Sequence, residues 1–133
     1  MYQVYENLFL CKYCDIKENL ITEFGITHII NLSQMKLNKK IIAEILNLDI
    51  PDRDDFDILK YFKITNKFIS DNISKGNKIL VCCLACISRS PTIILAYLIK
   101  KKQMSFNNAF DFLVKINDRI CPNYGFLEIL KNY

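Results

Sequence analysis

The segment from Ile79 to Thr92 reads ILVCCLACISRSPT and is the most informative stretch of the chain. Its first residues form a short apolar run, which is typical of a buried strand, and this run ends at Cys83. A loop follows as far as Arg89, and an apolar stretch with helical character begins directly after it. The N–H groups of such a loop can converge on one point, and the helix N-terminus adds positive potential there. The segment therefore predicts an anion-binding loop.

Two side chains of this loop predict the chemistry of the anion. The guanidinium of Arg89 offers two parallel donors to a tetrahedral oxyanion, an arrangement that lysine cannot reproduce. Cys83 lies at the base of the loop, where the surrounding donors favour its thiolate and make it nucleophilic at neutral pH. Because the only histidine, His28, falls in a predicted strand, we expect it to be structural and the loop itself to activate the thiol. The residues expected to bind phosphate are Leu84, Ala85, Cys86, Ile87, Ser88 and Arg89.

The rest of the chain predicts a single α/β domain over residues 1–133. Strands are predicted at 4–10, 26–32, 43–48 and 78–82, and helices at 16–24, 58–73, 90–100, 106–116 and 124–132. Asp15 and Ser105 stand where helix N-caps are expected, and Gly25 stands where a helix should end. Strands separated by helices of this length indicate helices packed around a central sheet.

Length and composition exclude several classes of protein. The 133 residues are 51% hydrophobic and 24% charged, with only three Gly and three Pro, which excludes a disordered or low-complexity chain. A net charge of +4 is weak support for nucleic-acid binding, so we expect no such partner. The longest apolar run, 93–99, is far shorter than the roughly 20 residues of a membrane span, so no membrane partner is expected. Six cysteines without a secretory signal favour a reducing setting, in the cytoplasm or nucleus.

The sequence around the loop resembles a known family. The stretch from Leu80 to Leu98 is similar to the signature of the dual-specificity subgroup of cysteine-based protein phosphatases, particularly the MAP kinase phosphatases. The resemblance implies a twisted, mostly parallel sheet flanked by helices, with a shallow active site. Similar blocks stand at matching places along nearly the whole chain: LFLC at 8–11, GITHIINLS at 25–33, YFKITNKFI at 61–69 and PNYGFLEIL at 122–130.

The resemblance implies a role for each matching residue of the loop. Cys83 would attack the phosphorus atom and become a phosphocysteine. Arg89 and the loop amides would hold the phosphate oxygens as charge develops on them. Ser90 occupies the hydroxyl position that assists breakdown of the thiophosphate. The reaction would need no cofactor and no metal.

The resemblance also implies a general acid and a substrate class. The acid is usually an aspartate on a loop well before the nucleophile, and it protonates the leaving oxygen. Asp52 stands at the matching position, with Asp54 and Asp55 open as alternatives. The implied substrate is a phosphoprotein, a kinase among the candidates, carrying phosphotyrosine or phosphoserine/threonine. An inositol-lipid substrate is disfavoured because no lysine lies between Cys83 and Arg89.

Two positions depart from the family pattern. Cys82 stands where the family has a histidine that braces the loop, and cysteine is a weaker hydrogen-bond partner. Cys86 stands where the family has a glycine, and a positive φ there would cost another residue about 1–3 kcal/mol. Two hypotheses follow. The favoured one is an active phosphatase, because the nucleophile, the arginine and an acid are retained; the alternative is a pseudophosphatase that binds phosphoprotein without turnover.

The cysteines allow two further hypotheses. Cys11 and Cys14 together with Cys83 and Cys86 could hold zinc, although the gap between the pairs is much longer than in zinc ribbons. A disulfide from Cys83 to Cys86 or Cys82 could regulate the protein, because a nucleophilic thiolate is what peroxide oxidises first. The sequence leaves the oligomeric state open.

Overall fold

The structure is a computed structural model that describes residues 1–133, and its centre is one five-stranded sheet. The strands are β1 (Tyr2–Tyr5), β2 (Leu8–Lys12), β3 (His28–Asn31), β4 (Glu44–Asn47) and β5 (Ile79–Cys83). They lie in the order β1-β2-β5-β3-β4, with β1 antiparallel to β2 and the other four strands parallel. The expected α/β fold with a mostly parallel sheet is confirmed.

Five helices cover the two faces of the sheet unequally. They are α1 (Glu18–Phe24), α2 (Leu59–Ser74), α3 (Arg89–Lys101), α4 (Phe106–Ile116) and α5 (Tyr124–Lys131). The larger hydrophobic core contains buried residues of α2, α3, α4 and α5, whereas the smaller core contains Ile21 of α1. The first ten residues of α3 are all buried, so this helix lies in the middle of the larger layer.

Strand β5 is buried along its whole length and is followed by the loop predicted to bind an anion. It pairs with β2 on one side and β3 on the other, and all five of its residues are buried. A strand buried on both faces reads as a continuous apolar run, which is why ILVCC predicts it without alternation. Ligands of open α/β sheets bind beyond the carboxyl ends of the strands, and the carboxyl end of β5 is Cys83.

The helix ends follow local chemistry, with one correction to the sequence prediction. The Ser105 hydroxyl accepts a hydrogen bond from the Asn108 N–H, which confirms it as the N-cap of α4. Gly25 ends α1 with φ +67°, a left-handed conformation that glycine adopts without strain. The prediction that Asp15 caps the first helix is wrong. Asp15 lies in a short 3-10 turn, and the extended backbone at Lys17 delays the start of α1 to Glu18.

None of the helices combines the length and the apolar character needed to cross a membrane.

Candidate active site

The loop between β5 and α3 contains the candidate site. It runs from Leu84 to Ser88 and leads directly into Arg89, the first residue of α3. Four of its main-chain N–H groups donate to no acceptor of the chain, those of Leu84, Ala85, Ile87 and Ser88. Unpaired N–H groups next to a helix N-terminus form a region of positive potential that attracts anions. The loop that sequence predicts as a phosphate site therefore has free donors.

Cys83 is the residue at the base of this loop and accepts two hydrogen bonds at its sulfur. The Ser90 hydroxyl donates to Sγ at 2.9 Å, and the Cys86 N–H donates to it at 3.3 Å. Both groups donate to the sulfur atom that the sequence predicts to be the nucleophile. The structure thus brings together Cys83 and Ser90, two of the residues to which sequence assigned chemistry.

Arg89 is buried, and its guanidinium is anchored at one end only. Its Nη1 donates to the carbonyls of Leu32 at 2.9 Å and Ile50 at 3.1 Å, and to Oε1 of Gln34 at 3.2 Å. Nε and Nη2 have no protein partner, and neither is sealed from solvent. A guanidinium held in this way presents the two parallel N–H donors that match two oxygens of a phosphate.

Cys86 stands at the position where the family has glycine, and its backbone there is left-handed. Its φ is +61°, a backbone conformation that glycine adopts more easily than other residues. Its side chain is 1% exposed and belongs to the larger hydrophobic core. The Cβ atom therefore packs into the core, and the sequence departure leaves a backbone strain of about 1–3 kcal/mol.

Cys82 lies on the other face of β5, because successive residues of a strand point to opposite sides. It is part of the smaller core, next to Cys11, its partner in the register of β2 and β5. Its thiol donates to Oδ1 of Asn31 at 3.6 Å, a contact typical of a weak sulfur donor. The thiol thus joins β5 to the end of β3 at the position where the family has a histidine.

The structure connects Asp52 to the loop through Asn123. The Asn123 side chain donates from Nδ2 to Oδ1 of Asp52 at 2.9 Å, while its main-chain N–H donates to the Ser88 hydroxyl at 2.9 Å. Asp55 pairs instead with Arg53 at 3.1 Å. Of the three candidate acids, Asp52 is the one with a hydrogen-bonded path to the loop.

Asp54 contributes its backbone rather than its carboxylate to this arrangement. A Cβ atom added at Gly125 would lie 1.9 Å from the Asp54 carbonyl oxygen, so only glycine allows this close approach. The first turn of α5 therefore holds the acidic loop in place. Asn123 is the N-cap of α5, since its Oδ1 accepts a hydrogen bond from the Phe126 N–H, but the sequence gives no sign of its link to Asp52.

The structure does not bring His28 close to Cys83, and it does not bring the four cysteines of the zinc hypothesis together as a metal site. His28 begins β3 opposite Ile79, at the far end of β5 from Cys83, and its Nε2 lies 3.1 Å from Oε2 of Glu44. No group of three or more His, Cys, Asp or Glu side chains is placed to hold a metal ion. The zinc hypothesis therefore gains no support, since Cys14 is exposed while the other cysteines it invoked are buried.

Comparison with known proteins identifies the family. Residues 8–133 match the family described as "Dual specificity phosphatase, catalytic domain", and the chain belongs to that family. The resemblance seen in the sequence is confirmed.

Individual relatives agree with this assignment. The chain is 34% identical to "MAP kinase phosphatase with leucine-rich repeats protein 1" and 31% identical to "MAP kinase phosphatase with leucine-rich repeats protein 2", both of Dictyostelium discoideum. Each match covers 98% of this chain but only 16% and 19% of those proteins. Among solved structures, it is similar to human tyrosine phosphatase-like serine/threonine/tyrosine-interacting protein, with a TM-score of 0.93 and 31% identity over 100% of this chain and 94% of that one.

The pKa values of the buried cysteines bear on the disulfide hypothesis. Burial raises the pKa of Cys86 to about 12, and burial also raises the pKa of Cys82 above its ordinary value. A disulfide with Cys83 would form when a neighbouring thiolate attacks its sulfenic acid and expels hydroxide. Because the thiolate fraction of either neighbour is small at pH 7, this attack should be slow there.

We predict that the rate of this crosslink rises with pH without levelling off below pH 9. After a peroxide pulse is quenched with catalase, disulfide formation should accelerate about tenfold per pH unit from pH 7 to 9, since it follows the thiolate fraction. Mass spectrometry with the exposed Cys14 and Cys121 changed to serine measures it. Cys86→Ser removes the thiol on the same side of the sheet as Cys83, and Cys82→Ser, whose thiol points to the other face of β5, is the matched control. A rate that is flat above pH 8 would contradict the prediction, and sulfinic Cys83 without any crosslink would remove the hypothesis.

Proposed function

We propose that the chain is a protein phosphatase that hydrolyses phosphotyrosine and phosphoserine/threonine in phosphoproteins through a phosphocysteine intermediate. The observation that carries the proposal is the juxtaposition in one loop of Cys83, which accepts hydrogen bonds from Ser90 and from a loop N–H, and the unpartnered edge of Arg89. Membership of the dual-specificity phosphatase family supports it.

In the first step the Cys83 thiolate attacks the phosphorus atom and the bond from phosphorus to the substrate oxygen breaks. Arg89 and the free loop N–H groups bind the equatorial oxygens, on which charge is highest in the transition state. Asp52 protonates the leaving oxygen, which lets an alcohol or phenol depart rather than its anion. The hydrogen bond from Asn123 to Asp52, together with that from the Asn123 N–H to Ser88, supports this role because it links the acid to the loop.

In the second step a water molecule attacks the phosphocysteine and inorganic phosphate is released. Asp52, now a carboxylate, accepts the proton of that water. The Ser90 hydroxyl stabilises the departing thiolate of Cys83, to whose sulfur it already donates at 2.9 Å. The enzyme returns to its starting state without a cofactor.

The alternative proposal is a module that binds phosphoprotein without turnover. It is favoured by one observation, the left-handed backbone of Cys86 in the loop, which a non-glycine residue adopts only with strain. The weak thiol contact from Cys82 to Asn31, in place of a stronger histidine donor, supports it as well. The two proposals agree on the phosphate site and differ only in the rate of chemistry.

We predict that the wild-type chain hydrolyses an aryl phosphate and that Cys83→Ser abolishes this activity, because the serine hydroxyl is not ionised near neutral pH. Steady-state turnover of para-nitrophenyl phosphate measures it, and the double variant Cys82→His with Cys86→Gly is the matched comparison. Turnover absent from the wild type and gained by several orders of magnitude in the double variant would show that the native chain is a pseudophosphatase. Turnover that survives Cys83→Ser would contradict the assignment of Cys83 as the nucleophile.

A second prediction concerns the acid. Asp52→Asn should lower kcat by about 100-fold for phenyl phosphate, a typical loss for a general acid, and by less for an ester whose leaving group is already acidic. Asp54→Asn and Asp55→Asn are matched controls that remove the same charge from the same loop, and each should retain kcat within about twofold of the wild type. Equal losses in all three variants, or a loss independent of the leaving group, would contradict Asp52 as the acid.

We also propose that the protein acts in the cytoplasm or nucleus. All six cysteines are free thiols in the structure, and a thiolate nucleophile requires a reducing environment to stay active.

A further inference from the structure

A pocket of about 560 Å³ lies between β4 and the segment that follows β3. Its walls include Asn31, the last residue of β3, Gln34 and Met35 a few residues further on, and Leu48 and Asp49 directly after β4. The phosphate-binding loop follows the carboxyl end of β5, which is the neighbour of β3. The pocket and the loop therefore open on the same edge of the sheet, where ligands of such sheets bind.

Gln34 forms a wall shared by the pocket and the phosphate site. Its Oε1 accepts from Nη1 of Arg89 at 3.2 Å, and its Nε2 donates to Oδ1 of Asp49 at 2.7 Å. Gln34 also has φ +64°, a strained conformation that these two side-chain hydrogen bonds offset. Gln34 thus contacts the anchored side of the Arg89 guanidinium and also lines the pocket, so one side chain connects the pocket to the arginine.

The pocket is built before any ligand arrives. Nδ2 of the buried Asn31 donates to the Met35 carbonyl at 2.8 Å and to Oδ1 of Asn47 at 2.9 Å. The Tyr13 hydroxyl donates to the Lys36 carbonyl at 2.6 Å. These contacts fix the backbone of the segment after β3 at two successive residues, so little conformational entropy remains to be lost on binding.

The lining of the pocket indicates what it accepts. Its apolar part includes Met35, Leu48 and Ile45, and Met35 is 51% exposed, which is high for a large hydrophobic residue. Lys36 and Lys39 also line it, while the single carboxylate, that of Asp49, is already engaged by Gln34. An apolar side chain with an acidic residue beside it complements this surface in both shape and charge.

We propose that this pocket is a specificity subsite for the phosphoprotein substrate. It takes an apolar side chain close in sequence to the phosphorylated residue, and Lys36 and Lys39 attract an acidic residue next to that side chain. The proposal rests on the proposed function in that it assumes a phosphopeptide on the phosphate-binding loop.

The test measures binding apart from turnover. Fluorescently labelled phosphotyrosine peptides in an alanine and glutamate background carry one leucine, which is moved through the three positions on either side of the phosphotyrosine. Affinities for the Cys83→Ser protein are read by fluorescence anisotropy. One position of the leucine should improve the dissociation constant about tenfold over the all-alanine peptide, a typical gain from filling a hydrophobic pocket. Absence of any preferred position would overturn the proposal.

A variant of the pocket locates the preference. Met35→Glu, made in the Cys83→Ser protein, should reduce the ratio of affinities for leucine and alanine peptides to near one, because it places a charge in the apolar lining. Ile64→Glu is the matched control, since Ile64 is 48% exposed and lies on α2, outside the pocket. The control should keep the tenfold ratio. A ratio that survives Met35→Glu, or that falls equally in the control, would overturn the assignment.

Charge is tested in the same way. The double variant Lys36→Glu with Lys39→Glu should weaken the binding of peptides that have glutamate beside the leucine. This loss of affinity should be about tenfold larger than the loss for peptides with glutamine there. The control is the double variant Lys63→Glu with Lys101→Glu, which changes the net charge by the same amount at two residues outside the pocket. It should change the affinities for both kinds of peptide equally. Wild-type turnover of para-nitrophenyl phosphate is measured in parallel. If the wild type shows no turnover but the leucine preference is present, the proposed function alone is contradicted. If the wild type turns over substrate but no leucine preference is found, the subsite alone is contradicted.

Discussion

The carboxyl ends of three neighbouring strands meet at one guanidinium. The Leu32 carbonyl follows β3, the Ile50 carbonyl follows β4, and Arg89 itself follows the loop after β5. A buried cation must have its donors satisfied, and a strand that has just left the ladder provides free carbonyls for this. Each hydrogen bond to a charged group contributes about 1.5–3 kcal/mol, so the anchoring at Nη1 strongly fixes the direction of the remaining donors.

The rest of the site depends on that anchoring. Because only Nη1 is engaged, Nε and Nη2 are left without a protein partner, and the loop that begins after Cys83 provides N–H groups that also have none. Asn123 then ties the loop to the acidic segment, since it contacts Ser88 and Asp52 through different atoms. The proposed nucleophile Cys83, the loop with unpaired N–H groups and the proposed acid Asp52 are thereby held by elements from three separate parts of the chain.

The loop itself and the strand before it could be predicted from sequence because their determinants are local. A short apolar run, Cys-x5-Arg and an apolar helical stretch are contiguous in the sequence. The N-cap of α4 at Ser105 is local as well. The prediction at Asp15 is wrong because aspartate is a common N-cap type, whereas here it ends a 3-10 turn and the extended backbone at Lys17 makes α1 begin only at Glu18.

The contacts that complete the site could not be predicted, because they join residues far apart in the chain. Asn123 and Asp52 are separated by 71 positions, and Gln34 and Arg89 by 55. Neither Gln34 nor Asn123 belongs to a residue type that by itself indicates catalysis. Their importance arises from the topology, which places the ends of β3, β4 and β5 and the start of α5 side by side.

The most direct test of this account is a titration of the ¹⁵N-labelled protein with inorganic phosphate, followed by NMR. We expect saturable shifts of the Arg89 Nε–H signal, and in Arg89→Lys a loop response weakened about tenfold or more. Shifts confined to other parts of the chain, or equal affinity in wild type and Arg89→Lys, would contradict it. The main-chain signals expected to move with Nε–H are those of Leu84, Ala85, Ile87 and Ser88.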